Sequence, residues 1–151
     1  MVVPTQGDSR MSSGKRGPPA PSDPEQGIYQ GREVARRFVS PDGWTILVGR
    51  SASDNDVLTV RLARPKDFWL HVAAESGSHV VIRNPEGLER PPRDTLSYAA
   101  GLAAGHSRAK SGGRVAVHFA KCVDVRKPRG FAPGKVSLAR YRTVHAAPRR
   151  D

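Results

Sequence analysis

Two short apolar runs near the start of the folded part of the chain carry the first structural signal. Arg37-Phe38-Val39-Ser40 and Trp44-Thr45-Ile46-Leu47-Val48 flank Pro41-Asp42-Gly43. Proline presets the φ of a turn and Asp-Gly tolerates positive φ, so this stretch predicts a hairpin that Gly49 ends. Phe68-Trp69-Leu70-His71-Val72 reads as a strand. Its period of two puts Phe68, Leu70 and Val72 on one face and Asp67, Trp69 and His71 on the other. His79-Val80-Val81-Ile82-Arg83 is a second strand, paired with the first across the turn at residues 73–78. Val115-Ala116-Val117-His118-Phe119 predicts another strand, followed by Cys122-Val123-Asp124-Val125, and residues 136–138 and 141–145 predict closing strands.

The helical period appears in one long segment. Leu96, Ala99, Ala100, Leu102, Ala103 and Ala104 form a stripe of mostly small residues over a helix expected at about 95–110. Arg108 and Lys110 then sit in its last turn, where cations favour the helix dipole, and Ser111-Gly112-Gly113 ends it. The residues before Pro65 are ambiguous. Ser53-Asp54-Asn55-Asp56 offers N-caps for a short helix near 56–63, while the alternation of Leu58, Val60 and Leu62 suits a strand. Strands on both sides of one main helix indicate an α+β domain: a mixed or antiparallel β-sheet packed against one long helix, with a short helix near 56–63.

Composition sets the limits of that domain. Residues 1–27 contain five Pro, four Gly and four Ser, too few apolar groups to offset the entropy of ordering, so they read as a disordered N-terminal extension. Met11 is a second candidate start besides Met1. Residues 28–145 form the single folded domain, and residues 146–151 read as a basic tail. The longest apolar runs span only a few residues, such as Val80-Val81-Ile82, which argues against a membrane-spanning helix and a secretory signal. Cys122 is the one cysteine. It excludes an internal disulfide and any zinc site built on several thiolates, and points to a reducing, cytoplasmic setting.

Charge adds a partner class. The 151 residues carry a net +11, but residues 1–75 hold 10 basic and 9 acidic side chains, whereas residues 101–151 hold 12 and 2. One-sided positive charge is the electrostatic footprint of a nucleic-acid binder. A solvated surface and adhesion to acidic lipid are the blander readings of the same charge.

Catalytic motifs are missing: there is no GxxxxGK[ST], GxGxxG, HExxH or CxxC pattern. Asp67, His71 and His79 could in principle ligate a metal, yet Asp67 and His71 stand roughly 13 Å apart along an ideal strand, so no metal or other cofactor is expected. A nucleophile at Ser78 or Cys122 would need a histidine beside it. Ser78 and His79 point to opposite faces of an extended chain, and a free cysteine is commonly core. The binding reading is stronger. Trp69 offers a plane for stacking a base, or else belongs to the core, and His71 could bond a phosphate or a base edge. Arg126, Lys127, Arg129 and Lys135 lie in a loop rich in Pro and Gly, where Gly130 and Gly134 let the backbone approach a phosphate. Asp67, His71, Ser78 and His79 are expected to gather at one end of the sheet.

These residues also resemble a known family. Asp67-x-Trp69-x-His71, Gly77-Ser78-His79-Val80-Val81-Ile82-Arg83, the 95–104 helix ending near Ser107, Val125-Arg126-Lys127-Pro128 and Pro133-Gly134-Lys135-Val136 follow the order of the signature of the NFACT-R domain. The hairpin at Asp42-Gly43-Trp44 and the pair Asn55-Asp56 fit its start, and the likeness covers about residues 36–145. Ser76 stands where that family commonly has proline, and His118-Phe119 where it often has Tyr-Thr. The resemblance implies an RNA-binding domain related to the C-terminal part of the NFACT proteins of ribosome-associated quality control, here as a standalone domain without their peptide-tailing activity. It implies transfer or ribosomal RNA as partner, the ribosome with it, and it adds Ser78, His79 and Arg83 to the RNA-contacting set of Trp69, His71, Arg126, Lys127, Arg129 and Lys135. An RNA-modifying or RNA-processing enzyme using His71, Ser78 and His79, and a non-selective basic nucleic-acid adaptor, are the competing readings.

Overall fold

The structure, a computed structural model, describes residues 17–151; the first part of the expected N-terminal extension, residues 1–16, lies outside the described residues. Order begins earlier than residue 28. Pro24–Gln26 form a 3-10 turn whose cap is the Asp23 carboxylate, accepting from the Glu25 amide at 3.0 Å. Two short strands follow, β1 (Ile28–Tyr29) and β2 (Arg32–Glu33), paired as a ribbon.

The predicted hairpin forms as β3 (Ala35–Val39) and β4 (Thr45–Gly49), with Phe38 opposite Ile46 and Gly43 at φ +92° in the turn. Asp42 in that turn accepts from the hydroxyls of Ser40 and Thr95, and these bonds hold its carboxyl below the usual range. The hairpin is thereby tied to the first turn of the main helix. β5 (Phe68–Val72) and β6 (Val80–Ile82) pair as expected, with Leu70 opposite Val80. β7 (Val115–Lys121) pairs with β5, and β10 (Arg142–Ala146) pairs with β7 at the sheet edge. Between them, a 3-10 turn at Cys122–Asp124 leads into β8 (Val125–Arg126), which pairs with β9 (Ser137–Leu138) in a separate ribbon. The main sheet has the order β10-β7-β5-β6-β4-β3, and every neighbour is antiparallel.

Helices cover both faces. The short segment is helical: α1 (Ala52–Asp56) continues into a π-helical turn at Val57–Leu62. It starts before the expected caps. Ser51 is the N-cap, its hydroxyl accepting from the Asp54 amide at 3.1 Å. Asp54 and Asn55 are left for tertiary bonds, to the Arg32 guanidinium and to the segment at residues 77–79. α2 (Arg93–Gly105) packs on the opposite face and stops five residues short of the expected 110. Past Gly105 the backbone bonds to residues 76–78 instead: Ser78 donates its N–H to the His106 carbonyl and Arg108 to that of Ser76. Arg108 and Lys110 therefore lie in a turn beyond the helix. Nor does the C-terminal segment hang free. The Arg149 N–H donates to the Gly101 carbonyl at 3.0 Å and its guanidinium lies over the Tyr98 ring. A Cβ at Gly105 would meet the Arg149 carbonyl oxygen at 1.7 Å, so only glycine lets the tail cross there.

Two cores result. Phe68, Leu70 and Val72 face α2, where the first two pack with Ile46, Ile82 and Leu102. Trp69, Val81, Leu47, Leu58 and Leu62 form the core under α1.

Candidate nucleic-acid interface

Trp69 is a core residue. It is 2% exposed, and its indole N–H donates to the Thr59 hydroxyl at 3.2 Å. No ring face is open to a base, so the stacking role that the sequence allowed it falls away. The cause is the π-helical turn at Val57–Leu62, which covers this face of the sheet. Thr59 lies 2.7 Å from Nδ1 of His79, and Nε2 of His79 lies 2.9 Å from the Gly134 carbonyl. A carbonyl oxygen only accepts, so Nε2 bears the hydrogen and Nδ1 accepts from Thr59. Thr59 in turn accepts from the indole, and one directed chain of hydrogen bonds runs from Trp69 to Gly134. Burial, with His71 nearby, lowers the pKa of His79 from 6.5 to about 4 and keeps the ring neutral in this tautomer. His79 thus anchors the basic loop from within and does not offer itself to RNA.

The anchor has a second strand of contacts. Asp56 accepts from the Gly134 amide at 3.1 Å and pairs with the Lys127 ammonium at 3.2 Å. Lys127 also donates to the carbonyls of Ala132 and Lys135. All three of its donors are directed inward, so the residue expected to meet phosphate stitches the loop together. Gly130 at φ +88° and Gly134 at φ +80° supply the bends this closure needs. Arg126, Arg129 and Lys135 remain exposed, with no ion-pair partner among the described residues.

Arg83 is likewise internal. It is 8% exposed and pairs with Asp67 and, at 3.0 Å, with Glu25. Asp67 also accepts from the amides of Arg64 and Asn84. This network sits at the Phe68 end of β5, away from His71, so Asp67 does not join the expected cluster. His71, Ser78 and His79 do share the other end. The His71 ring stacks on the indole of Trp69 at 5.9 Å and meets His79 edge-on at 5.6 Å. Burial lowers the His71 pKa as well. The Ser78 hydroxyl donates to the Gly49 carbonyl at 2.8 Å.

What opens to solvent here is a pair of clefts on the two sides of Gly77. One, of about 670 Å³, is lined by His71, His118, Gly134 and Lys135 among others. The second, of about 660 Å³, is lined by His106, Lys110 and Arg150 among others. They share Ala52, Asn55, Ser76, Gly77 and Arg108, so basic groups follow one another across the end of the sheet. Sequence reasoning missed Thr59, whose role depends wholly on its buried partners. It also misplaced Arg108 and Lys110 by treating them as the end of a helix.

The profile of the family described as NFACT protein RNA binding domain matches residues 35–140. This chain belongs to that family. As an NFACT RNA-binding domain it is 41% identical over 118 residues to the Rqc2 homolog RqcH of Bacillus subtilis, covering 78% of this chain and 20% of that protein. It is 38% identical over 70 residues to the ribosome quality control complex subunit NEMF homolog of Drosophila melanogaster, covering 46% of this chain and 7% of that protein. The solved C-terminal part of the fibronectin/fibrinogen-binding protein from Streptococcus suis superposes with a TM-score of 0.72 at 33% identity, over 78% of this chain and 47% of that one. The chain spans about a fifth of the length of its RqcH relatives. The matched residues of the NFACT RNA-binding domain include both ends of the hydrogen-bond chain, Trp69 and Gly134, and the whole basic loop.

Proposed function

We propose that this domain captures transfer or ribosomal RNA through the outer face of the basic ribbon and the clefts beside Gly77, without chemistry of its own. The observation that carries this reading is the division of labour in the loop. Lys127 is turned inward to hold the loop's shape, and Arg126, Arg129 and Lys135 are left outward with no ion-pair partner among the described residues. Cations held on a braced backbone bind phosphate by releasing condensed counterions, which supplies affinity without reading sequence. His71, Arg108 and Lys110 extend the same surface along the clefts.

The hydroxyl of Ser78 and both ring nitrogens of His79 are already engaged in hydrogen bonds within the domain, which favours binding over an RNA-modifying reaction at those residues. The names of the relatives support a place in ribosome quality control, with the ribosome as the larger partner and the cytoplasm as the setting that this role implies. The binding unit is residues 28–145 together with the turn at residues 23–27 that packs on Arg83 and Arg37. Crosslinking in cells followed by sequencing of the bound RNA tests the proposal: reads concentrated in transfer or ribosomal RNA support it. Titration against transfer RNA and duplex DNA across a salt series separates the readings. Equal affinity for both would favour the non-selective adaptor.

A further inference from the structure

The described residues expose two aromatic side chains, and both stand beside the basic ribbon. Phe131 is 40% and Tyr141 54% exposed. Phe131 follows Arg129 and Gly130 at the tip of the loop, next to Ala132 of the cleft wall. Tyr141 lies between Arg140 and Arg142, both exposed and without an ion-pair partner among the described residues. Its ring meets His118, a lining residue of the same cleft, at 4.7 Å and 72°. That contact braces the ring against the sheet while more than half of the residue stays in water.

Neither ring is exposed for want of a core, since Trp69, Phe68 and Tyr98 are all buried. Each is presented beside arginines on a braced frame. Rings interleaved with cations are the elements of a single-strand binding surface: the cations follow phosphates and the rings take bases. A base inside a duplex has both faces covered by its neighbours, so rings of this kind engage only unpaired bases. We propose that Phe131 and Tyr141 stack on unpaired bases, so that the RNA taken by this face is single-stranded there, as in a loop, a bulge or an end. The inference rests on the RNA-binding reading above and names the class of RNA.

Fluorescence anisotropy with a labelled oligouridylate of about 12 nucleotides and an RNA duplex of equal length tests it. The wild-type chain is expected to bind the single strand more tightly at equal salt. Phe131→Leu and Tyr141→Leu should each weaken that binding about 5- to 100-fold, with the slope of log affinity against log salt unchanged. Tyr141→Phe keeps the ring and should retain wild-type affinity, which guards against a mere packing defect. Wild-type binding with both leucine variants unaffected would overturn the stacking and leave RNA binding standing. Losses equal for strand and duplex, or accompanied by a flatter salt slope, would overturn it as well. Failure of the wild-type chain to bind either RNA would overturn both readings.

Discussion

Arg126 and Lys127 are sequence neighbours in one basic loop, yet they belong to different regions of the molecule. Lys127 points into an interior of directed polar contacts that starts at Trp69, passes through Thr59 and His79, and reaches the loop at Gly134. Arg126 points out to a rim with Arg129, Phe131 and Lys135. The interior carries the more distinctive residues, two aromatic heterocycles and a half-buried ion pair. The rim carries ordinary arginines and a phenylalanine. Distinctive chemistry here shapes the site, and the plainer residues that the shape holds in place are the ones turned to the solvent.

Changes in the interior should cost stability, and changes on the rim should cost only binding. The largest effect is expected from Trp69→Ala, which empties the core under α1 and removes the start of the chain. Urea unfolding should show a loss of about 3–5 kcal/mol. Reduced RNA affinity with full stability would instead put the indole on the rim. The next effect is pH dependence. The His79 pKa is 6.5 when free and about 4 in the folded chain, so the unfolded state takes up the extra proton first as pH falls. Stability should therefore drop between pH 6.5 and 4, by about 3 kcal/mol in total. The depressed His71 pKa acts in the same direction. Unfolding midpoints compared across that window should show a shallower slope in His79→Gln.

Thr59→Val is expected to be milder. It leaves the indole N–H and His79 Nδ1 without their shared partner, at a cost of about 1–3 kcal/mol. Hydrogen exchange should speed up at Gly134 if the chain holds the loop, and stay unchanged if the loop is braced by Asp56 and Lys127 alone. The smallest change in stability belongs to Arg126→Ala combined with Arg129→Ala. Their melting temperature should match the wild type, while RNA affinity falls and the salt slope flattens by about 0.7 per lost contact with a single strand. Lys127→Ala should do the reverse, lowering stability with little change in that slope.

Much of the scaffold is legible in the order of residues alone. The hairpin around Asp42-Gly43, the pairing of β5 with β6, and the small-residue face of α2 follow from local turn chemistry and from periods of two and 3.6. The end of α2 is not legible, because residues 106–108 leave a helix-compatible stretch in order to bond to residues 76–78. Trp69 is ambiguous for a related reason. Its alternation places it opposite Phe68 and Leu70, but whether that face meets water depends on the segment Val57–Leu62, whose own pattern suits helix and strand alike.

The α+β class, the family signature and the concentration of positive charge in the last third of the chain can all be read from the order of residues, because they are properties of local pattern and composition. Which charged and aromatic groups face the solvent is settled when the chain folds. Burial and pairing depend on partners far away in the chain: Asp56 meets Lys127, Glu25 meets Arg83, and Thr59 meets His79. A side chain buried against such a partner inside the protein presents little to RNA, and no reading of its own neighbours reveals that.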